Sequence, residues 1–141
     1  MSRTAAKQPL AFRARPQTLD RLRRRARESG QTQTALAERY IEEGIRTDEH
    51  PLIHFRDGRG GRRPAIAGTR LDVWQVIETL RQNGNSVEAT ADYLEVPAQK
   101  IHAAVRYYAE YQAEIDEWIE RARAISAREE ERWQREQSLV G

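Results

Sequence analysis

Residues 10–45, LAFRARPQTLDRLRRRARESGQTQTALAERYIEEGI, constrain the fold of this chain more than any other stretch. The segment opens with a period of two: Leu10, Phe12 and Ala14 alternate with Ala11, Arg13 and Arg15, which predicts a short strand, apolar on one face and basic on the other. Pro16 ends that strand. From Thr18 the spacing changes to three and four through Leu19, Leu22 and Ala26, while Arg21, Arg23, Arg24, Arg25 and Arg27 cover the rest of a first helix. Ser29-Gly30 stops it, because glycine readily takes the left-handed conformation that closes a helix. Thr32 or Thr34 is placed to cap a second helix, whose expected buried stripe is Leu36, Ala37, Tyr40, Ile41 and Ile45. A lone strand has two unpaired edges and two short helices supply little core, so this segment is not expected to stand as a monomer. Pairing with the strand of a second copy solves the problem. The resulting ribbon turns Ala11, Arg13 and Arg15 outward, and a two-stranded ribbon fits the major groove of B-DNA.

The charge distribution points the same way. Residues 1–47 carry 11 basic and 5 acidic side chains, whereas residues 48–141 carry 13 and 17, so the formal net charge of +2 hides a basic head on an acidic body. Such a head suits a polyanion and such a body another kind of partner. The absence of cysteine excludes a disulfide scaffold, a thiolate nucleophile and cysteine-ligated metal, and fits a reducing cytoplasm. No apolar run approaches the roughly 20 residues of a membrane span, and MSRTAAKQPL lacks a signal peptide's apolar core, so a soluble cytoplasmic protein is expected.

Over residues 8–47 the order of strand, L-x-x-L helix, S-G-Q-T turn and second helix resembles the ribbon-helix-helix family of bacterial repressors and antitoxins. That resemblance implies a DNA-binding and dimerisation domain over 1–47. In it Arg13, with Ala11 and Arg15, faces the groove, while Thr32, Gln33 and Thr34 present backbone N–H groups to a phosphate. The outward strand face departs from the family's usual run of polar side chains, so phosphate attraction is expected to outweigh base reading.

Residues 47–51, TDEHP, read as a linker. Beyond them Leu52 to Phe55, a glycine-rich turn at Asp57 to Gly61, and Ala65 to Ala67 give a hairpin signal. Three helical patterns follow, centred on Val73 to Leu80, Val87 to Leu94 and Ile101 to Tyr108, the last two with helix-turn-helix proportions. The markers P-A-I-A-G-T-R-L, N-G-N-S, A-x-x-Y-L, A-A-V-R-Y-Y and E-I-D-E resemble the bacterial domain of unknown function numbered family 433, across about residues 50–119. That resemblance implies a partner of PIN-like nuclease toxins. Arg62, Arg63 and Arg70 flank the hairpin and are candidate phosphate contacts, although residues 48–111 carry 8 basic and 9 acidic groups and lack a DNA binder's broad field. Tyr107, Tyr108 and Tyr111 fall beside the apolar stripe and read as core and rim.

From Gln112 onward one charged helical pattern runs through Ile115, Trp118, Ile119, Ala122 and Ile125 and then thins. Trp118, Ile125 and Trp133 are candidate toxin-binding residues on a segment with 5 basic and 8 acidic groups. Catalytic and metal readings fare worse. His50 and His54 are four apart but Pro51 argues against a shared helix face, and His102 is isolated. Gly58 to Gly61 lacks the G-K-[ST] ending of a phosphate-binding loop. Glu114, Asp116 and Glu117 have no histidine near them in sequence, and no serine lies in a nucleophile motif.

The fold expected is mainly α with short β: a dimeric ribbon-helix-helix over 1–47, a hairpin and helix-turn-helix-like module over 48–119, and a charged helical tail over 120–141. Together the resemblances imply a VapB-like type II antitoxin that represses its own operon at operator DNA, neutralises a PIN-like ribonuclease toxin by direct binding, and uses no metal or cofactor. A plain transcription regulator without a toxin is the alternative.

Overall fold

A computed structural model describes residues 6–140. The first five residues, part of the stretch read above for a signal peptide, lie outside it. Six helices and one two-stranded antiparallel sheet make up the described chain, which divides into two compact units, Met1–Glu42 and Glu43–Gly141. Among the described residues no helix is long and apolar enough to cross a membrane.

In the first unit residues 6–15 carry no regular structure, and the strand expected from Leu10 to Arg15 does not form within the chain. The reason is physical: an isolated strand satisfies none of its backbone groups, and the described residues of the first unit hold no other strand to pair with. Helix α1 is Pro16–Ser29, with Pro16 at its first position, where a missing N–H costs nothing. Gly30, at φ 68°, closes it and donates back to the carbonyls of Ala26 and Arg27. Helix α2 is Gln33–Glu49. Thr32 caps it, its Oγ1 accepting the Ala35 N–H at 3.0 Å. Of the stripe expected to be buried on α2 only Leu36 is; Tyr40, Ile41 and Ile45 are exposed, because nothing among the described residues covers them.

The expected linker is absent. Residues 47–49 complete α2, and His50 beyond it is buried. In the second unit strands β1 (Ile53–Arg56) and β2 (Arg63–Ile66) pair in the register Ile53 with Ile66 and Arg56 with Arg63, as the hairpin signal predicted. Helices α3 (Val73–Gln82), α4 (Val87–Leu94) and α5 (Ala98–Glu110) follow, and α6 (Gln112–Val140) is a single helix of 29 residues. Their apolar faces meet in one core: Ile53 and Ile66 from the sheet, Val73, Val76 and Ile77 from α3, Ile101, Ala104 and Tyr107 from α5, and Ile115 and Ile119 from α6. Burial at this scale is what makes the second unit self-sufficient.

Candidate nucleic-acid interface

The first unit has no comparable core. Among its described residues only Ala26 and Leu36 are buried, while Leu10 and Phe12 remain 71% and 69% exposed. An open groove of about 1080 Å³ lies between residues 7–14 and the two helices, lined by Leu10, Phe12, Leu19, Leu22, Tyr40 and Ile41 among others. Water sits badly against such a surface, and each side chain of this size left uncovered forgoes about 1.5–3 kcal/mol of burial. The groove is therefore unfinished structure.

Around it stand the cations. Arg13 and Arg15 are exposed and their side chains make no hydrogen bond or ion pair among the described residues; Ala11 is exposed beside them. On α1 the pairs Arg23–Asp20 and Arg25–Glu28 are exposed and 3.9 Å long, contacts that neutralise little. Gln33 and Thr34 lie exposed in the first turn of α2, which holds no acidic residue to offset the helix dipole. All six residues proposed to meet DNA in this unit thus face solvent.

The second unit holds its arginines differently. Arg62 donates to Glu43 through Nε and Nη2 at 2.9 and 2.8 Å and lies 3.4 Å from Asp57; the hydrogen bond to Glu43 raises its pKa. Arg63 Nε is 2.7 Å from Asp72, whose other oxygen accepts from Arg56 Nε at 3.0 Å and Nη2 at 2.6 Å. Asp72 is 4% exposed, so the two guanidiniums are structural counter-ions to a buried carboxylate. Of the three arginines singled out around the hairpin, only Arg70 leaves its side chain free in solvent.

Sequence reasoning missed a polar seam along the end of α2. Glu43, Arg46 and His50, at spacings of three and four, reach Arg62 beside β2, Glu114 on α6 and Glu110 on α5. Arg46 Nη1 also donates to Tyr107 Oη at 2.7 Å and its guanidinium lies 3.9 Å from the Tyr111 ring. His50 Nε2 is 2.6 Å from Glu110, its ring edge-on to Tyr107. Burial raises the Tyr107 pKa, and the Glu114 carboxylate adds to the shift. The charges at helical spacing were the signal, but the partners stand nineteen or more positions away in sequence and the linker reading of residues 47–51 set His50 apart.

Among the candidate toxin contacts, Trp118 is half-buried against its own unit. The Arg121 guanidinium lies 4.2 Å from its ring, and Arg121 donates to the Gly60 carbonyl at 3.1 Å. A Cβ on Gly60 would stand 3.4 Å from the Trp118 ring, so the hairpin tip packs closely there. Ile125 and Trp133 are 50% and 56% exposed. Past Arg123, which reaches Glu78 at 3.3 Å, the side-chain hydrogen bonds of α6 among the described residues are with its own turns. No three histidine, cysteine or carboxylate side chains among the described residues are grouped to hold a metal.

The sheet, the capped α3 and the α4–α5 pair match a family. Residues 53–108 fit DUF433, a protein of unknown function. The DUF433 match takes in both strands and all but the last two residues of α5, and leaves the first unit and α6 outside it. No curated protein and no solved structure matches the chain.

Proposed function

We propose that this protein is a DNA-binding regulator that dimerises through its first unit. The open apolar groove carries the reading: a unit of this size with two buried side chains gains its core only by covering Leu10, Phe12, Tyr40 and Ile41 with the same surface of a second copy. In that dimer residues 10–15 of the two chains pair as antiparallel strands and satisfy each other's backbone. Arg13, flanked by Ala11 and Arg15, then enters the major groove, and the capped start of α2 at Thr32, Gln33 and Thr34 receives a phosphate.

The test uses the full chain. Sedimentation equilibrium should give a dimer that Phe12→Glu converts to monomer, and the wild-type protein should bind a duplex from upstream of its own reading frame with affinity falling steeply as salt rises. Arg13→Ala should weaken that binding about tenfold or more, the loss of a groove contact worth about 1–3 kcal/mol. A wild-type monomer, or a complex indifferent to salt, overturns the reading.

A second reading, that the regulator is an antitoxin, is favoured by the bare end of α6. The exposed Ile125 and Trp133 on a helix otherwise packed only to Arg123 suit the groove of a protein toxin, a PIN-like ribonuclease in the family resemblance. Co-purification with the product of the adjacent reading frame, lost on truncation after Arg123, would support it; an unchanged partner affinity after truncation would refute it.

A further inference from the structure

Helices α4 and α5 are joined by three residues, Glu95, Val96 and Pro97, with Glu95 in the left-handed conformation at φ 57°. Thr90 and Ala91 of α4 and Ile101 and Ala104 of α5 are buried, which leaves the opposite face of α5 to solvent. That face presents Gln99, His102 and Arg106, at spacings of three and four, all exposed and none with a side-chain hydrogen bond or ion pair among the described residues. Seven of the fourteen arginine and lysine side chains of residues 43–141, Arg46, Arg56, Arg62, Arg63, Arg81, Arg121 and Arg123, have carboxylate partners, and Arg106 is among those with none among the described residues. Two further cations stand near α5. Lys100 Nζ lies 3.1 Å from where a Cβ on Gly68 would be, which brings the Gly68-Thr69-Arg70 turn beside the first turn of the helix.

We infer that the outer face of α5 is a second DNA-reading element, independent of the first unit, that enters a major groove with Gln99, His102 and Arg106 toward base edges and Lys100 and Arg70 toward phosphates. The side-chain types suit base recognition, since glutamine pairs with adenine and arginine with guanine through two hydrogen bonds each. The second helix of such a pair is the one that lies in the groove. Charge sets the strength. Exposed Glu88, Asp92 and Glu95 on and after α4 oppose phosphates, so this element binds weakly by itself and acts because the rest of the chain holds it at high local concentration.

The experiment is selection from a pool of randomised duplexes by the full-length protein and by a Gln99→Ala, His102→Ala, Arg106→Ala triple variant. These positions are exposed, so thermal unfolding of the variant should match wild type. Two separate shared blocks are expected among sequences selected by the wild type. The variant should lose one block and bind the wild-type winners five- to fifty-fold more weakly, whereas Arg13→Ala should degrade the other block. Identical selected sequences and affinities for wild type and triple variant would sink the inference, whatever becomes of Arg13. So would a variant that keeps both blocks and instead loses a purified protein partner, because the face would then belong to protein recognition.

Discussion

Asp72 shows how a single side chain organises the second unit. Its carboxylate gathers Arg56 and Arg63, accepts from Trp74 Nε1 at 3.2 Å, and sits at the start of α3, where the Gln75 side chain accepts the Asp72 N–H at 2.8 Å. Removing it by Asp72→Ala strands two guanidiniums and should cost the unit about 3–5 kcal/mol, read from its urea midpoint. Tyr107 gives a pH prediction. Its pKa in the folded chain is raised, chiefly by burial, above the unfolded value of about 10, so its contribution to stability is complete below pH ~10 and declines as pH climbs beyond that. Urea midpoints of wild type should therefore fall between about pH 9.5 and 11 more steeply than those of Tyr107→Phe, which should itself lose about 1 kcal/mol at neutral pH with its bond to Arg46. Little of this was legible beforehand. Arg62 and Arg63 looked like free cations in the sequence because their carboxylates, Glu43 and Asp72, stand nineteen and nine positions away.

At the scale of elements the sequence was far more readable. The hairpin, the three helices after it and the long α6 follow their periodicities almost residue for residue, since each has a face that only one partner surface can cover. Two elements escaped. The strand expected over residues 10–15 does not form, and the end of α2 outlasted its propensity because the contacts of Arg46 and His50 hold it. Caps offer a clean measurement: Thr32→Ala, which removes the acceptor for the Ala35 N–H, should destabilise the first unit by about 1 kcal/mol in its thermal transition. Glu95→Gly should do the reverse for the second unit, adding up to about 1 kcal/mol to its stability in urea, because glycine takes the left-handed turn without strain.

For the molecule as a whole, the two units differ in what they need. The second has a closed core and should unfold at a temperature independent of protein concentration. The first, if its groove is filled by a second copy, should show a midpoint that climbs with concentration, and calorimetry across a hundredfold dilution series separates the two. The division between basic head and acidic body was visible in the charges alone, and the proposed DNA contacts of the head all reach solvent. What charge counting could not show is which cations are already matched inside the fold.

The bare end of α6 also bears on how long the chain lasts in a cell. Arg128, Arg132 and Arg135 lie on a helix with no core behind it, so each brief fraying hands trypsin-like proteases a cleavable bond while the rest of the second unit is still folded. Turnover should begin at that extremity, and any molecule that sheathes it would lengthen the protein's lifetime.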